Sequence, residues 1–568
     1  MKFKFPLSCY LVFFATALLS FLGLSVWQKH PTASKSVILP HPASWLPPCD
    51  EHEISELVSS KKRNPILSLN SVPAPLYEPS EKELRRYPGA FVLEAVAGEG
   101  PEPHQEIHTR ILKTDFKSSS NISGLIRTEE IVNNQTGELV SRKEMIADHL
   151  LVSLPADVDP YYFLKRLGTI ASAINKITQD DSLYDVTLRS GSLEAIPQGL
   201  EKIALGKGAY AEPDLMLHAC GQATAHIGSY NYTSSSGEDY PISWQLRNQW
   251  GLLGSDKGGI DILDAWSKQP GSPTVIVAVI DSGIRYTHDD LVDNIWNDPS
   301  KLREGNLHGI DMIDSKDNSM DLGKSGHGTH VAGIIGGMGS NGKPFGVSYN
   351  IQLMACRFLD GDCTGSERDL ITCMDYAIRH GATILNCSVA MEKGSYSSLL
   401  FNFLQEAHDK GVIVVAAAGD ADEVKETDSH GNSITKMVQN NNDDHPIYPA
   451  SYPLDNIISV AASNTEKTTL SPDSNYGAKT VHIIAPGSDI YSTWNQSDYS
   501  YTQYSGTSMA APFVSGSLAL LQEHYPHASP QALIQHLLNN ADKDLSLQGK
   551  IIQGRHLNIG KALKVSLQ

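Results

Sequence analysis

Three residues have types and settings that suit covalent chemistry: Asp281, His327 and Ser508. Ser508 lies in Tyr504-Ser505-Gly506-Thr507-Ser508-Met509-Ala510-Ala511-Pro512, where small residues lead into an apolar run that reads as a helix. A serine at such a junction presents its hydroxyl at a helix N-terminus, beside backbone N–H groups that can receive a developing negative charge. That setting suits a nucleophile. Asp281 closes an apolar, β-branched run, and His327 stands in Gly326-His327-Gly328-Thr329-His330-Val331-Ala332-Gly333, a second glycine-rich start to an apolar helix. Each alone has a plain reading as a cap or helix start. Together they offer a nucleophile, a base and a group to orient the base.

The elements that must hold these residues alternate strand and helix. Residues 275–280 form a continuous apolar run, as expected of a strand buried on both faces, and similar runs recur at 351–356, 383–387, 412–418, 457–462 and 481–485. Helical stretches at 367–380, 398–410 and 508–524 lie between or after them. An α/β fold follows, with a largely parallel sheet and helices on both faces. In such sheets chemistry collects at the carboxyl ends of the strands, where Asp281 stands. Upstream, strands at 149–153, 171–177, 183–188 and 209–217 with helices at 159–167 and 193–205 spell a small β-α-β-β-α-β, ferredoxin-like α+β unit.

The rest of the chain bounds its setting. At 568 residues it holds more than one structural unit. Its 45 Lys+Arg against 64 Asp+Glu, a net charge of −19, argue against nucleic acid or an anionic membrane surface as the main partner. Lys2 and Lys4 precede an uncharged run from Leu7 to Trp27, which reads as an export signal, either cleaved or kept as a membrane anchor with the remainder outside. The expected organisation is residues 1–30 as signal or anchor, 31–90 as a low-order Pro- and Ser-rich tether, and 91–218 as the α+β unit. Residues 219–243 form a Gly, Ser and Thr-rich connector open to proteolysis, and 244–568 the large α/β domain. Seven cysteines carry no metal-ligand spacing, and export would permit disulfides whose pairing the sequence leaves open.

The region from about 244 to 537 resembles the subtilisin-like serine proteases, the subtilases, through Val279-Ile280-Asp281-Ser282-Gly283-Ile284, His327 to Gly333 and Ser505 to Pro512. The unit ending Tyr210-Ala211-Glu212-Pro213-Asp214 looks like a subtilase propeptide, which serves its own enzyme as chaperone and inhibitor. The resemblance implies a three-layer subtilisin-like fold and an endopeptidase acting on peptides or proteins and made as a self-processed precursor. Ser508 would be the nucleophile, His327 the general base and acid, and Asp281 the group that orients the imidazole. It implies no required cofactor. Ser388, Val389, Ala390, Ala418, Gly419 and Pro449 would line the substrate pocket. Structural calcium is allowed: Asp290 matches a ligand position of some relatives, though residues 338–344 lack the rest of that site. The acidic insertion between Asp420 and His445 reads as a solvated loop.

One residue departs from the family pattern. Asp420 stands where the family places an asparagine whose amide donates to the oxyanion. An ionised carboxylate can only accept, and losing one such donor costs about 2.7 to 4 kcal/mol. Keeping an unperturbed aspartate protonated at neutral pH costs about 4 kcal/mol, so the two penalties are comparable. Related convertases carry Asp here. The expectation is a protease favouring mildly acidic conditions, bounded below by the need for neutral His327. The alternative is a weakly active or inactive subtilase fold that binds peptides.

Overall fold

The computed structural model describes residues 74–567 except 117, 119–122, 138, 180–181, 205–207, 220, 224–248, 255–257, 301–307, 315–318, 340–343, 428–432 and 466–468. The run from Leu7 to Trp27, most of the tether, most of the connector, and Cys9, Cys49 and Cys220 lie outside the described residues.

The first described α-helix, α1 (Glu81–Arg86), falls inside the stretch expected to be low in order. Ser80 and Glu83 form a reciprocal capping box that satisfies two orphan N–H groups at its start. Strands β1 (Phe91–Glu99), β2 (Gln105–Lys113), β3 (Leu125–Asn133) and β4 (Leu139–Ser153) follow as an antiparallel meander. Then come α2 (Pro160–Leu167), β5 (Ala171–Lys176), β6 (Leu183–Leu188), α3 (Ala195–Ala204) and β7 (Tyr210–Ala219). The sheet order β7-β4-β6-β5 is that of the expected β-α-β-β-α-β unit, and the meander joins it through β3, which pairs with the first half of β4 on the edge opposite β7. A short strand, β8 (Gln222–Ala223), occupies the start of the sequence-predicted connector.

The second body begins with α4 (Ile262–Trp266) and β9 (Ile276–Asp281). It continues through β10 (Gly309–Asp311), α5 (His327–Gly336), β11 (Gln352–Arg357), β12 (Thr364–Ser366), α6 (Glu367–Arg379), β13 (Ile384–Cys387), β14 (Val389–Met391), α7 (Ser398–Asp409) and β15 (Ile413–Ala417). The chain closes with β16 (Asp422–Thr427), β17 (Ser433–Val438), β18 (Ile457–Ser463), β19 (Ile483–Pro486), β20 (Ile490–Trp494), β21 (Ser500–Ser505), α8 (Thr507–His524), α9 (Pro530–Asn539), β22 (Asp542–Lys543), β23 (Arg555–His556) and α10 (Ile559–Lys564).

Its main sheet runs β10-β11-β9-β13-β15-β18-β19-β23-β22, parallel except for the last pair. The two-residue alternation of a strand explains why the apolar runs are continuous. In β9, Val277 and Val279 enter the core beneath α5 and α8, while Ala278 and Ile280 enter the core on the other face. Residues 507–521 of α8 are all buried, so the helix that starts at the serine is a central strut of the domain. The insertion after Asp420, expected as a solvated loop, is a β-hairpin of β16 and β17. Its register sets charged residues opposite apolar ones, Asp422 with Val438, Glu423 with Met437 and Glu426 with Ile434, and neither strand carries the two-residue alternation that would mark it in the sequence.

β7 ties the two bodies together. It pairs antiparallel with β12 and with β14, taking the place of a strand between them. Glu212 of β7 accepts from the N–H groups of Ser398 and Leu399 at the start of α7, at 3.0 and 3.1 Å. Asp214 accepts from the Arg368 N–H at the start of α6, at 3.0 Å. Two carboxylates thus meet two helix N-termini, where the macrodipole favours negative charge. Replacing Glu212 with Ala is expected to lower stability by about 1 kcal/mol and to speed amide exchange at Ser398 and Leu399. Unchanged protection of those two amides would show that the cap carries no weight.

Candidate active site

Asp281 is the last residue of β9 and His327 the first of α5. The helix start can approach the strand end because residue 328 is glycine: a Cβ there would lie 2.2 Å from the Gly283 carbonyl oxygen and 3.1 Å from the Asp281 Cβ. The imidazole Nδ1 sits 2.8 and 2.9 Å from the two carboxylate oxygens of Asp281. With an acceptor there, Nδ1 carries the proton and donates it, leaving Nε2 as the basic nitrogen. Asp281 Oδ1 also accepts from the Ser282 N–H at 2.7 Å. Asp281 and His327 are both buried.

Ser508 stands in the first turn of α8. Its hydroxyl donates to the Ser388 carbonyl at 2.8 Å, and the Ser388 hydroxyl donates to the Ser508 carbonyl at 2.9 Å. That carbonyl is open to Ser388 because its helical partner four residues on would be Pro512, which has no N–H. The Asn386 amide donates to Ser388 Oγ at 3.0 Å, and Ser515 Oγ donates to Asn386 Oδ1 at 2.7 Å. A polar chain therefore fixes the start of α8 against the short link between β13 and β14.

Asp420 follows Gly419 and faces the same end of α8. Its Oδ1 accepts from both the N–H and the hydroxyl of Thr507, each at 2.8 Å. Burial pushes its carboxyl up to about 6; the two Thr507 hydrogen bonds and His327 oppose this, and Asp473 adds to it. The carboxylate expected from an unperturbed aspartate is thus replaced by a group whose proton is held into the mildly acidic range.

A cleft of about 660 Å³ is lined by His327, Asp420, Gly419 and Ala390. The other sequence-predicted pocket residues are placed behind it: Val389 and Ala418 are wholly buried, and Pro449 is buried next to Tyr448, whose carbonyl accepts from the Met391 N–H at 2.9 Å. Gly221 also lines the cleft, with φ +147°, and a Cβ on it would lie 3.6 Å from the Ser508 Cβ and 3.1 Å from Met509 Sδ. The chain itself runs past the serine.

Sequence reasoning missed Asp321, which is buried and accepts from the Thr329 N–H and hydroxyl at 3.2 and 2.7 Å. Burial pushes its carboxyl up to about 6 against those hydrogen bonds, with Asp281 adding and His327 opposing. No spacing in the chain announces it, since only the fold brings it to the Asp281–His327 pair. Glu392 and Ile447, also on the cleft, gave no signal either. The four described cysteines, Cys356, Cys363, Cys373 and Cys387, are free thiols. Burial raises the thiols of Cys356, Cys373 and Cys387 far above their ordinary range, as expected of inert core residues.

Residues 272–555 match the model of the subtilase family. The chain belongs to the subtilase family. It is 31% identical over 352 residues to subtilisin-like protease 1 of Plasmodium falciparum (isolate 3D7), covering 58% of this chain and 48% of that protein. The chain thus spans about half the length of that relative. It is 32% identical over 361 residues to the thermophilic serine proteinase of Bacillus sp. (strain AK1), covering 63% of this chain and 73% of that protein. In fold it is similar to fervidolysin from Fervidobacterium pennivorans, with a TM-score of 0.57 at 22% identity, covering 74% of this chain and 61% of that one. The subtilisin-like α/β fold is therefore shared, and the subtilase match contains Asp281, His327, Asp420 and Ser508.

Within this subtilase, Asp420 makes stability depend on pH. Its folded-state value near 6 exceeds the unfolded value of about 3.9, so its contribution favours the fold at low pH and is lost as pH rises through 6. Asp420→Asn keeps an acceptor for Thr507 and removes the charge. The variant is expected to be more stable than wild type at pH 8, by up to about 3 kcal/mol, and equal to it near pH 4. Thermal unfolding at both pH values checks this; a gain that is the same at both would show that ionisation is not the cause.

Proposed function

We propose that this subtilase is a serine endopeptidase that cuts itself and then other polypeptides through an acyl-enzyme on Ser508. The observation that carries the reading is the buried Asp281–His327 pair in a cleft where the chain's own strand β7 pairs with β14 and Gly221, just beyond it, lies beside Ser508.

In the reaction, the Ser508 hydroxyl leaves the Ser388 carbonyl and turns to His327, whose Nε2 takes its proton as Oγ attacks the scissile carbonyl. Asp281 holds the Nδ1–H and stabilises the imidazolium that forms. The proton then passes to the leaving amine, and water releases the acyl group by the same base. The tetrahedral oxyanion receives the Ser508 N–H and a proton carried on Asp420 Oδ2, since Oδ1 is taken up by Thr507. All of this is acid–base chemistry of the chain's own residues, and structural calcium stays a separate proposal, tested by loss of thermal protection on chelation.

Residues 74–219 act as the inhibitory propeptide. β7 reproduces an extended substrate strand, with Ala219 opposite Val389 and His218 opposite Ala390, while β8 pairs with β21 on the other side of Ser508. The backbone must pass the nucleophile between those two pairings, so the self-cleavage falls between Ala219 and Gln222. Polypeptide substrates add to β12 and β14 in the same way once the propeptide has left. The uncharged run from Leu7 to Trp27 supports export, as a secreted or membrane-anchored enzyme.

Ser508→Ala is expected to accumulate the uncut chain, to lose fluorophosphonate labelling and to lower peptide turnover by at least about 10⁴-fold. The new N-terminus of the wild-type product, read by mass spectrometry, is expected at 220–222. A cut in another region would separate processing from this active site. The pH profile tests the Asp420 role: kcat/KM should fall as pH rises through about 6, and Asp420→Asn should remove that fall. A wild type that takes no fluorophosphonate at any pH would leave the peptide-binding reading.

A further inference from the structure

The cleft carries a group of charges that the reaction does not use. Glu392 directly follows β14, and its side chain is only 6% exposed. Two bases of α1 reach it: Arg86 pairs with its Oε1, and Lys82 Nζ lies 3.0 Å from its Oε2. Lys82 also lies 3.1 Å from Asp422, and Arg85 lies 2.7 Å from Glu423, at the base of the β16–β17 hairpin. From β7, the His218 imidazole points into the same place. Its Nε2 is 2.9 Å from Glu144 Oε2, and one ligand atom from each of Glu144, His218 and Glu392 lies within 4.8 Å of the others. Glu144 is in turn held by Arg86 at 3.0 Å and by Arg142 at 2.6 Å. With those guanidiniums on the carboxylates, the cluster suits side-chain cations rather than a metal ion.

The division of these charges between the two bodies is the informative point. Among the described residues, every ion-pair partner of Glu392, Asp422 and Glu423 lies on α1. Burial pushes the Glu392 carboxyl up, but Arg86 and Lys82 outweigh it and hold it at about 2, so it is an anion wherever the propeptide is docked. Glu144, Arg142 and His218 also precede the self-cleavage region. When the propeptide leaves, the peptidase keeps three carboxylates on the cleft, Glu392 after β14 and Asp422 and Glu423 at the start of β16, and gives up the cations that neutralise them. Lys324 and Lys393 stay on the cleft wall, and Lys324 lies 3.6 Å from Asp362. A partly buried carboxylate stripped of its counter-charge is costly, and a bound cation relieves that cost.

We propose that Glu392 is a specificity-determining residue that selects a basic side chain, arginine or lysine, at the substrate position pairing with Ala390, the place His218 holds, with Asp422 and Glu423 extending the field outward. The propeptide then occupies the subsite with its own bases, and a substrate brings a base in their stead. This inference rests on the peptidase reading.

The test uses the self-processed enzyme and three quenched peptides that differ only at the position aligned with His218: Arg, Ala and Glu. The kcat/KM is expected to favour Arg over Ala by at least about tenfold and to disfavour Glu, with the Arg advantage shrinking as salt is raised. Glu392→Gln is expected to bring the Arg/Ala ratio close to one, and Glu392→Lys to favour the Glu peptide. If these variants fail to process, the salt dependence of the wild-type ratio and the partial loss expected of the pair Asp422→Asn/Glu423→Gln decide the matter. Fluorophosphonate labelling with equal turnover of all three peptides, or an Arg preference untouched by both salt and variants, overturns this inference and leaves the peptidase reading standing. Absence of both labelling and turnover overturns the peptidase reading, and this inference with it.

Discussion

The pairing of β7 between β12 and β14 is the constraint on which the rest of the structure depends. Those two short strands present edges that flank the cleft, and edge strands invite an added strand. With β7 in place the backbone groups of both edges are satisfied, two helix N-termini receive carboxylates, and the chain is delivered to Ser508. Without it, the same elements would face solvent with open hydrogen-bonding groups. The arrangement places the chain's own strand on both edges that flank the cleft of the Asp281–His327 pair.

A second constraint acts at Ser508. The reciprocal hydrogen bonds of Ser388 and Ser508 join the link between β13 and β14 to the start of α8, and the missing N–H of Pro512 makes room for one of them. Proline inside a helix usually weakens it. Here the freed carbonyl is satisfied from outside, so a local defect becomes a tertiary anchor. Thr507, which precedes the serine, donates twice to one oxygen of Asp420. The unusual aspartate is thus seated by the residue that precedes the serine.

Much of this was legible in the sequence because the signals are local or periodic. The buried strands of the main sheet and the long helix after Ser508 follow from apolar runs, and the Asp281, His327 and Ser508 motifs carry glycine where the backbone must come close, as Gly328 does. Asp420 was legible as an exception to a pattern. What the sequence hid depends on side chains meeting from distant parts of the chain. The β16–β17 hairpin was masked by its charge, α1 by the Pro- and Ser-rich stretch before it, and Asp321 and Glu392 have no spacing that marks them. The extent of β7 was missed because its last residues enter a connector rich in small polar side chains, where partners rather than propensity make the strand.

The apolar core on the α6 and α7 face does not stop at the boundary between the two bodies. Leu150, Phe163 and Leu217 from the N-terminal body are contiguous in it with Ile280, Leu370 and Leu400 from the other. Severing one peptide bond near Gly221 removes none of that packing. On the peptidase reading, the cut and the opening of the cleft are therefore separate events with separate clocks: the first is set by chemistry at Ser508, the second by how often a shared core comes apart. A molecule that has already cut itself remains silent in the interval, and it can travel a long way before it begins to act.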